Sequence, residues 1–288
     1  MDIGDSPPSP AEEILRHTQI QVAISKRLTI HTEWRYDLRS PFWRIYVNSR
    51  SGAAIFHEGK KISLHPGRVY LLPAWVRFQT LSERPVTQDF LHFYVTGLPA
   101  SLLRRLFDHP LLLPHSDKAL QALVRRWQKG LSQDREPGFA ELIWAGALAH
   151  AAAALAMESL SSNDQAACLR SLTGSGPIGP ALAAIDRSLS HPPANPALAH
   201  LCGLSTDHFI RQFRHLVGMT PAQYGIERRV AIAARWLTTG ERAIDDIAAA
   251  CGFTDRFHFS RAFKARLGTP PAAYRAMHRR AIGKEGAG

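Results

Sequence analysis

The sequence predicts an α+β protein of two domains. The first is a β-barrel or sandwich with attached helices, and the second an all-α domain of two similar helical units joined by a long helix. Three observations lead there. Between Gln19 and about Thr96 the chain is written in short runs of alternating or β-branched and aromatic residues, separated by turn residues. From Leu98 the apolar period becomes helical. Near the C-terminus one pattern of aromatic, basic, glycine and proline residues occurs twice at a fixed offset. A chain of 288 residues has room for two domains that each bury a core.

The β-type runs are QVAISKRLTIHTEW, FWRIYVNS, GAAIFHEG, KKISLHP, RVYLLPAWVRFQTL and QDFLHFYV, punctuated at Ser40-Pro41, Ser51-Gly52, Glu58-Gly59 and Pro66-Gly67. Six or more short strands at this spacing imply a sandwich or barrel. On FWRIYV, Arg44 and Tyr46 alternate with Trp43 and Ile45, so one face offers a charged anchor or an aromatic wall, and the sequence leaves open which face points inward. SLLRRLFDHPLLLP, DKALQALVRRWQKGLS and GFAELIWAGALAHAAAALAMESL read as three helices, the last rich in alanine. Residues 1–15 read as a disordered leader, 16–160 as the first domain, 161–177 as a polar linker, 178–280 as the second domain and 281–288 as a tail. Within the second domain, IGPALAAIDRSLSHPP gives the first helix and Asn195 is expected to cap the next.

From Ile244 to Tyr274 the chain reads IDDIAAACGFTDRFHFSRAFKARLGTPPAAY. A short helix ends at Gly252, Asp255 stands at an N-cap position, and Phe259, Phe263 and Leu267 recur at the spacing of one buried face. Gly268 and Pro271 close that second helix. A short helix, a glycine turn and a helix with a basic outer face form a helix-turn-helix. Fifty residues earlier, Phe209, Arg211, Phe213, Arg214, Gly218, Pro221 and Tyr224 lie under Phe259, Arg261, Phe263, Lys264, Gly268, Pro271 and Tyr274, with Ser205 under Asp255. The unit is duplicated.

These residues, with RVAIAARWL (Arg229 to Leu237) in the connecting helix, resemble the AraC/XylS family of bacterial transcription regulators over residues 178–280. HPGRVYLLPAWVRF resembles, more weakly, a turn and strand of the cupin-like sensing barrels common in that family. The resemblance implies double-stranded DNA as partner, a small-molecule effector in the barrel, a homodimer paired through the helices after the barrel, contact with RNA polymerase, activation rather than repression, and a cytoplasmic location.

In such a domain the outward face of each second helix lies in the major groove, where base edges carry a distinct donor and acceptor pattern. Those faces are Thr206, Asp207, Ile210, Arg211 and Arg214 in the first unit, and Arg256, Phe257, Ser260, Arg261 and Lys264 in the second. Arg211 and Arg261 are the candidates for base contact, and Arg214 and Lys264 for phosphate. Family members carry a small polar residue where Phe257 stands, so that position reads a thymine methyl or packs. Ile210 and Asp207 leave the first helix poor in donors.

Charge supports a polyanionic partner: +11 overall, with 15 Lys and Arg against eight Asp and Glu from Ile178 onward. Cys168, Cys202 and Cys251 are unclustered, without the spacing of a zinc site, and Cys202 and Cys251 read as small core residues. His31, His57, His65 and His92 raise the alternative of a cupin-type metal enzyme, but no His-x-His pair with a following glutamate is present, so no metal, cofactor or catalytic residue is expected. A DNA-binding architectural protein with a purely structural barrel is the third reading. The alanine-rich stretch Glu141 to Leu160 contains Glu141, His150 and Glu158, and is not expected to cross a membrane.

Overall fold

The computed structural model describes residues 19–96, 98, 100–133, 135, 137–172 and 177–281, so the expected leader and most of the tail lie outside the described residues. Among the described residues nine strands make two antiparallel sheets. The first has the order β1 (Gln19–Ile30), β8 (Val86–Thr96), β3 (Trp43–Asn48), β6 (Tyr70–Leu72), β9 (Leu111–Leu112). The second has the order β2 (Asp37–Leu38), β7 (Phe78–Ser82), β4 (Ala53–His57), β5 (Lys60–Ser63). β1 runs the length of β8, from Gln19 opposite Thr96 to Ile30 opposite Val86, with a bulge between Val22 and Ile24. The run RVYLLPAWVRFQTL supplies two strands rather than one. Pro73 breaks it, and Trp75 turns the chain with a φ of 70°, a strained conformation for a bulky residue.

Pairing fixes the inward faces. Trp43, Ile45, Leu91 and Phe93 form one core with residues from the helices, whereas Tyr46, Phe90, Ile55, Leu72 and Phe78 form another between the sheets. Because neighbouring residues of a strand face opposite ways, Arg44 and Tyr46 point into the lumen, with Arg44 opposite His92 and Tyr46 opposite Phe90. Every residue of β3 is buried, which is why its polar Arg44 and Asn48 gave no outward-facing signal.

Helices α1 (Ala100–Leu106), α2 (Lys118–Gly130) and α3 (Phe139–Glu158) follow, and the expected first helix ends early because Leu111 and Leu112 pair with β6. Asp117 caps α2 by accepting from the Leu120 amide at 2.9 Å, and Leu120, Val124 and Trp127 bury one face. Arg27 bolts that helix end to the sheet: it binds both oxygens of Asp89 at 2.6 and 2.9 Å and donates to the carbonyls of Gln128 and Leu131. Among the described residues, α3 is the one helix long and apolar enough to cross a membrane, and Ala145, Leu148, Ala149, Ala152, Ala153 and Ala156 are buried within the fold. Residues Ser162–Leu172 of the expected linker form a further helix, α4, preceded by Ser161, whose hydroxyl bonds Asp164 at 2.7 Å.

The C-terminal domain is all helix: α5 (Gly179–Arg187), α6 (Asn195–Leu201), α7 (Thr206–Val217), α8 (Pro221–Thr239), α9 (Ile244–Ala250), α10 (Arg256–Leu267) and α11 (Pro271–Ala281). The sequence duplication is a packing duplication. Phe209, Phe213 and Tyr224 meet edge to face at 5.6 and 5.9 Å, and Phe259, Phe263 and Tyr274 repeat this at 5.5 and 5.1 Å. Gly218 and Gly268 end α7 and α10 in the left-handed conformation that glycine adopts without cost. Asp255 caps α10 through the His258 amide at 2.7 Å, while Ser205 occupies the N-cap of α7 without a side-chain bond. Asn195 is the first residue of α6 rather than its cap, a position held by Ala194 with Pro196 just inside the helix.

The β-sheet domain and the helical domain touch. Arg104 of α1 pairs with Glu227 of α8 at 2.6 Å, Arg235 of α8 donates to Gln21 at 2.8 Å, and His278 of α11 enters the lumen. His278 Nδ1–H donates to the Tyr274 carbonyl at 2.9 Å, so its Nε2 accepts from the Ser40 hydroxyl at 3.3 Å, and Ser40 in turn accepts from Arg44 Nη2 at 2.6 Å. Burial, reinforced by the Arg44 charge, drives the His278 pKa down to about 3 from 6.5 and holds that of His92 well below 6.5.

Both histidines are therefore neutral in the folded protein, and the stability this carries is present above pH 6.5 and lost as pH falls towards the folded pKa values. Each costs up to about 1.4 kcal/mol per pH unit below 6.5. Thermal melting from pH 7.5 to 5 is expected to show a falling midpoint, with a shallower fall in His278→Leu. A second expectation concerns the two turn glycines. A Cβ on Gly252 (φ 75°) would lie 2.4 Å from the Ser190 backbone, whereas one on Gly203 (φ 63°) meets open space. Gly203→Ala should cost about 1 kcal/mol from the left-handed backbone alone, and Gly252→Ala clearly more than about 2 kcal/mol in urea unfolding.

Candidate nucleic-acid interface

The site is the pair of surfaces that α7 and α10 turn to solvent. α7 buries Phe209 and Phe213 completely and α10 buries Phe259 and Phe263, and that fixes what faces outward. Of the residues expected on the reading face of α7, Asp207, Arg211 and Arg214 are exposed. Thr206 is half-buried. Ile210 is half-buried as well, packed against the first unit's core, so this position is more a wall of the core than a free tip. On α10 Arg256, Phe257, Arg261 and Lys264 are exposed and Ser260 is half-buried. Phe257 is 77% exposed, so it does not pack within the chain. Arg256 reaches Asp245 of α9 at 3.3 Å, a contact between exposed groups that holds the side chain beside the turn and contributes little stability.

Sequence reading missed two neighbours on α7. His208 is exposed and Gln212 half-buried, and they approach each other at 3.3 Å beside Arg211. Their i, i+4 spacing was the available signal; the histidine recurs in the second unit and the glutamine is replaced there by Ala262. His208 aligns with His258, which instead contacts Thr254 at 3.2 Å and packs on Phe253.

The turns differ too. The first helices are offset by 49 residues, Asn195–Leu201 against Ile244–Ala250, and the second by 50, Thr206–Val217 against Arg256–Leu267. The second turn is one residue longer, and Phe253, buried against Phe259 at 5.1 Å, fills the space.

α8 holds the units together. Its N-terminus is closed by a capping box in which Thr220 and Gln223 exchange bonds at 2.9 and 3.3 Å. Arg228 pairs with Asp186 of α5 at 2.8 Å, and the Tyr224 hydroxyl donates to the same carboxylate at 3.1 Å. Arg229 donates to the carbonyls of Leu189, Ser190 and Gly252. Spanning 19 residues, α8 is about 28 Å long at 1.5 Å per residue.

The histidines weighed as metal ligands are scattered. His31 and His65 are exposed, His57 donates from Nδ1 to the Arg77 carbonyl at 2.9 Å, and His92 faces the lumen. Among the described residues no three His, Cys, Asp or Glu side chains gather around a common point. Cys251 is buried and its thiol is pushed up to about 12 by burial, so it is an inert core residue.

Comparison with known proteins places this domain. The family model described as "Helix-turn-helix domain" matches residues 198–277. The chain is 34% identical to the regulatory protein SoxS of Escherichia coli K12 over 94 residues, which is 33% of this chain and 88% of SoxS. It is 31% identical over 86 residues to the MmsAB operon regulatory protein of Pseudomonas aeruginosa, covering 30% of this chain and only 28% of that protein. Among solved structures, ToxT of Vibrio cholerae O395 aligns over 91% of this chain and 98% of its own, at 15% identity and a TM-score of 0.49. A chain that carries both helical units and aligns with SoxS along nearly all of that protein belongs to the AraC/XylS family of transcription regulators.

Proposed function

We propose that the protein is a sequence-specific regulator, an activator of transcription, that binds double-stranded DNA through α7 and α10 and is controlled by a small molecule held in its N-terminal barrel. The observation that carries the reading is the duplicated helix-turn-helix with a basic, exposed second helix in each copy. Two such helices tied to one rigid connecting helix suit adjacent major grooves on one face of a duplex, about one helical turn apart. Arg211 and Arg261 take base edges, and an arginine on guanine O6 and N7 discriminates by about 1–3 kcal/mol. Arg214 and Lys264 hold phosphates and set register. The exposed ring of Phe257 suits the methyl group of a thymine.

The same proposal assigns homodimerisation to the open end of α3, where Phe139 and Ile143 are 82% and 58% exposed and Leu142 and Trp144 stand beside them. A regulator of this kind works in the cytoplasm, beside its DNA and RNA polymerase.

Fluorescence anisotropy on a selected operator at a stated, near-physiological salt concentration tests the assignment. Arg261→Ala should weaken binding roughly 5- to 150-fold and relax preference at one base position. Lys264→Ala should weaken all sequences alike and reduce the salt slope by about one. An Arg261→Ala protein that binds operator and scrambled DNA as the parent does would refute the recognition role.

A further inference from the structure

Arg44 is buried in a way unusual for a charged group. It stands on β3 in the middle of the first sheet, 1% exposed, and among the described residues no carboxylate comes within 4 Å of it. One guanidinium nitrogen, Nη2, donates to Ser40, while the other, Nη1, is buried with no hydrogen-bond partner. Beside it, both ring nitrogens of His92 are buried and also without partners. The guanidinium carbon lies 4.4 Å from the centre of the Phe42 ring and 5.2 Å from that of Phe78. Ring faces offset part of a buried positive charge, but they leave the unused N–H groups unanswered. Buried donors without acceptors are rare in folded proteins, and an uncompensated buried charge is costly, so an anion beside it would be strongly favoured.

The space beside these groups is a small cavity of about 20 Å³ lined by Arg44, His92, Trp34, Phe90 and His278. That is room for about one water molecule and for no organic ligand. The wall that belongs to another domain is His278, carried by α11. It is also the end of the hydrogen-bond chain from Arg44 through Ser40. Were His278 to leave, the Ser40 hydroxyl would lose its acceptor, and the lumen would hold a guanidinium, a hydroxyl and a neutral imidazole, all able to donate, inside aromatic walls.

We propose that this lumen binds a small monocarboxylic acid with an apolar body, its carboxylate on Arg44, Ser40 and His92, and that α11 closes the site in the ligand-free protein by inserting His278. The proposal deepens, and rests on, the reading of an effector-controlled regulator. One guanidinium and aromatic walls suit a single negative charge on an apolar frame better than a phosphate, which would need more cations. Ligand and docked α11 compete for one space, so the acid favours the state in which the last helix of the second DNA-binding unit is released from the barrel. That exclusion supplies the difference in affinity between two states that any effector needs.

The test uses the full chain without DNA and three acids, acetate, benzoate and octanoate, each beside its uncharged amide. Thermal melting at millimolar ligand is measured on the parent, on His278→Ala and on Arg44→Gln. At least one acid should raise the midpoint while its amide does not. His278→Ala should reach the same shift at about one-tenth the concentration, and Arg44→Gln should lose it. Hydrogen exchange in residues 271–281 should speed up when the acid binds. If no acid is distinguished from its amide in either the parent or His278→Ala, the site is refuted. This arm stands even where Arg44→Gln fails to fold. An acid effect that persists in a folded Arg44→Gln also overturns the site, and unchanged exchange in 271–281 overturns the closing role of α11. Operator binding is measured on the same preparations. Specific DNA binding without discrimination of acid from amide leaves the regulator standing and removes the carboxylate site. Discrimination without specific DNA binding does the reverse.

Discussion

The placing of the two DNA-binding units depends on one close contact, where the loop after α5 meets the second helix-turn-helix. Gly252 passes so near Ser190 that a Cβ would overlap its backbone, and Arg229 ties the carbonyls of Leu189, Ser190 and Gly252 together from the connecting helix. Three carbonyls from two units converge on one guanidinium, whose planar fork suits several acceptors at once. Around it, Val230, Ala233, Ala234 and Leu237 are fully buried, so α8 is packed on its length rather than exposed as a free rod. Small residues let neighbouring helices approach, and the arginine fixes the angle at which they meet. The spacing of α7 and α10, on which reading of DNA would depend, is set here.

The two copies solve one packing problem with different partners. In the first, the repeated tyrosine Tyr224 completes its bonding inside the domain, on Asp186 of α5. In the second, Tyr274 lies against His278 at 4.1 Å between ring centres, and His278 reaches Ser40 of the barrel. The second unit thus finishes its core with another domain's residues. The second unit leans on the β-sheet domain, whereas the first completes its tyrosine's bonding within its own domain. The hydrogen-bond chain from Arg44 through Ser40 to His278 thus joins the β-sheet domain to the second unit.

Much of this was legible in the sequence. The repeated aromatic, glycine and proline positions encode local packing and caps, which short-range spacing reports faithfully: Phe259, Phe263, Gly268 and Asp255 stand as their pattern requires. The strand runs were legible as well, because alternation is local. What escaped depends on distant partners. The inward direction of Arg44 and Tyr46 is fixed by pairing with β8, more than forty positions away in the chain. The brief strands β2 and β9 exist only because β7 and β6 accept them. The polar composition of Ser162–Leu172 suggested a linker, yet a serine cap and good helix formers make it α4. Ile210 reads as outward by period and is drawn inward by the core beneath it. The repeat hid the extra residue in the second turn because it was matched in the second helices alone.

In the proposed function one rigid domain presents two reading helices to DNA. The most direct measurement of this is recovery of genomic fragments on the purified protein, with the enriched sequences aligned. The account predicts a motif of two short elements with centres about ten base pairs apart and fixed in relative orientation, since α8 allows one spacing. Enrichment of a single element, of two elements at variable spacing, or of no sequence beyond a salt-sensitive general affinity would contradict it.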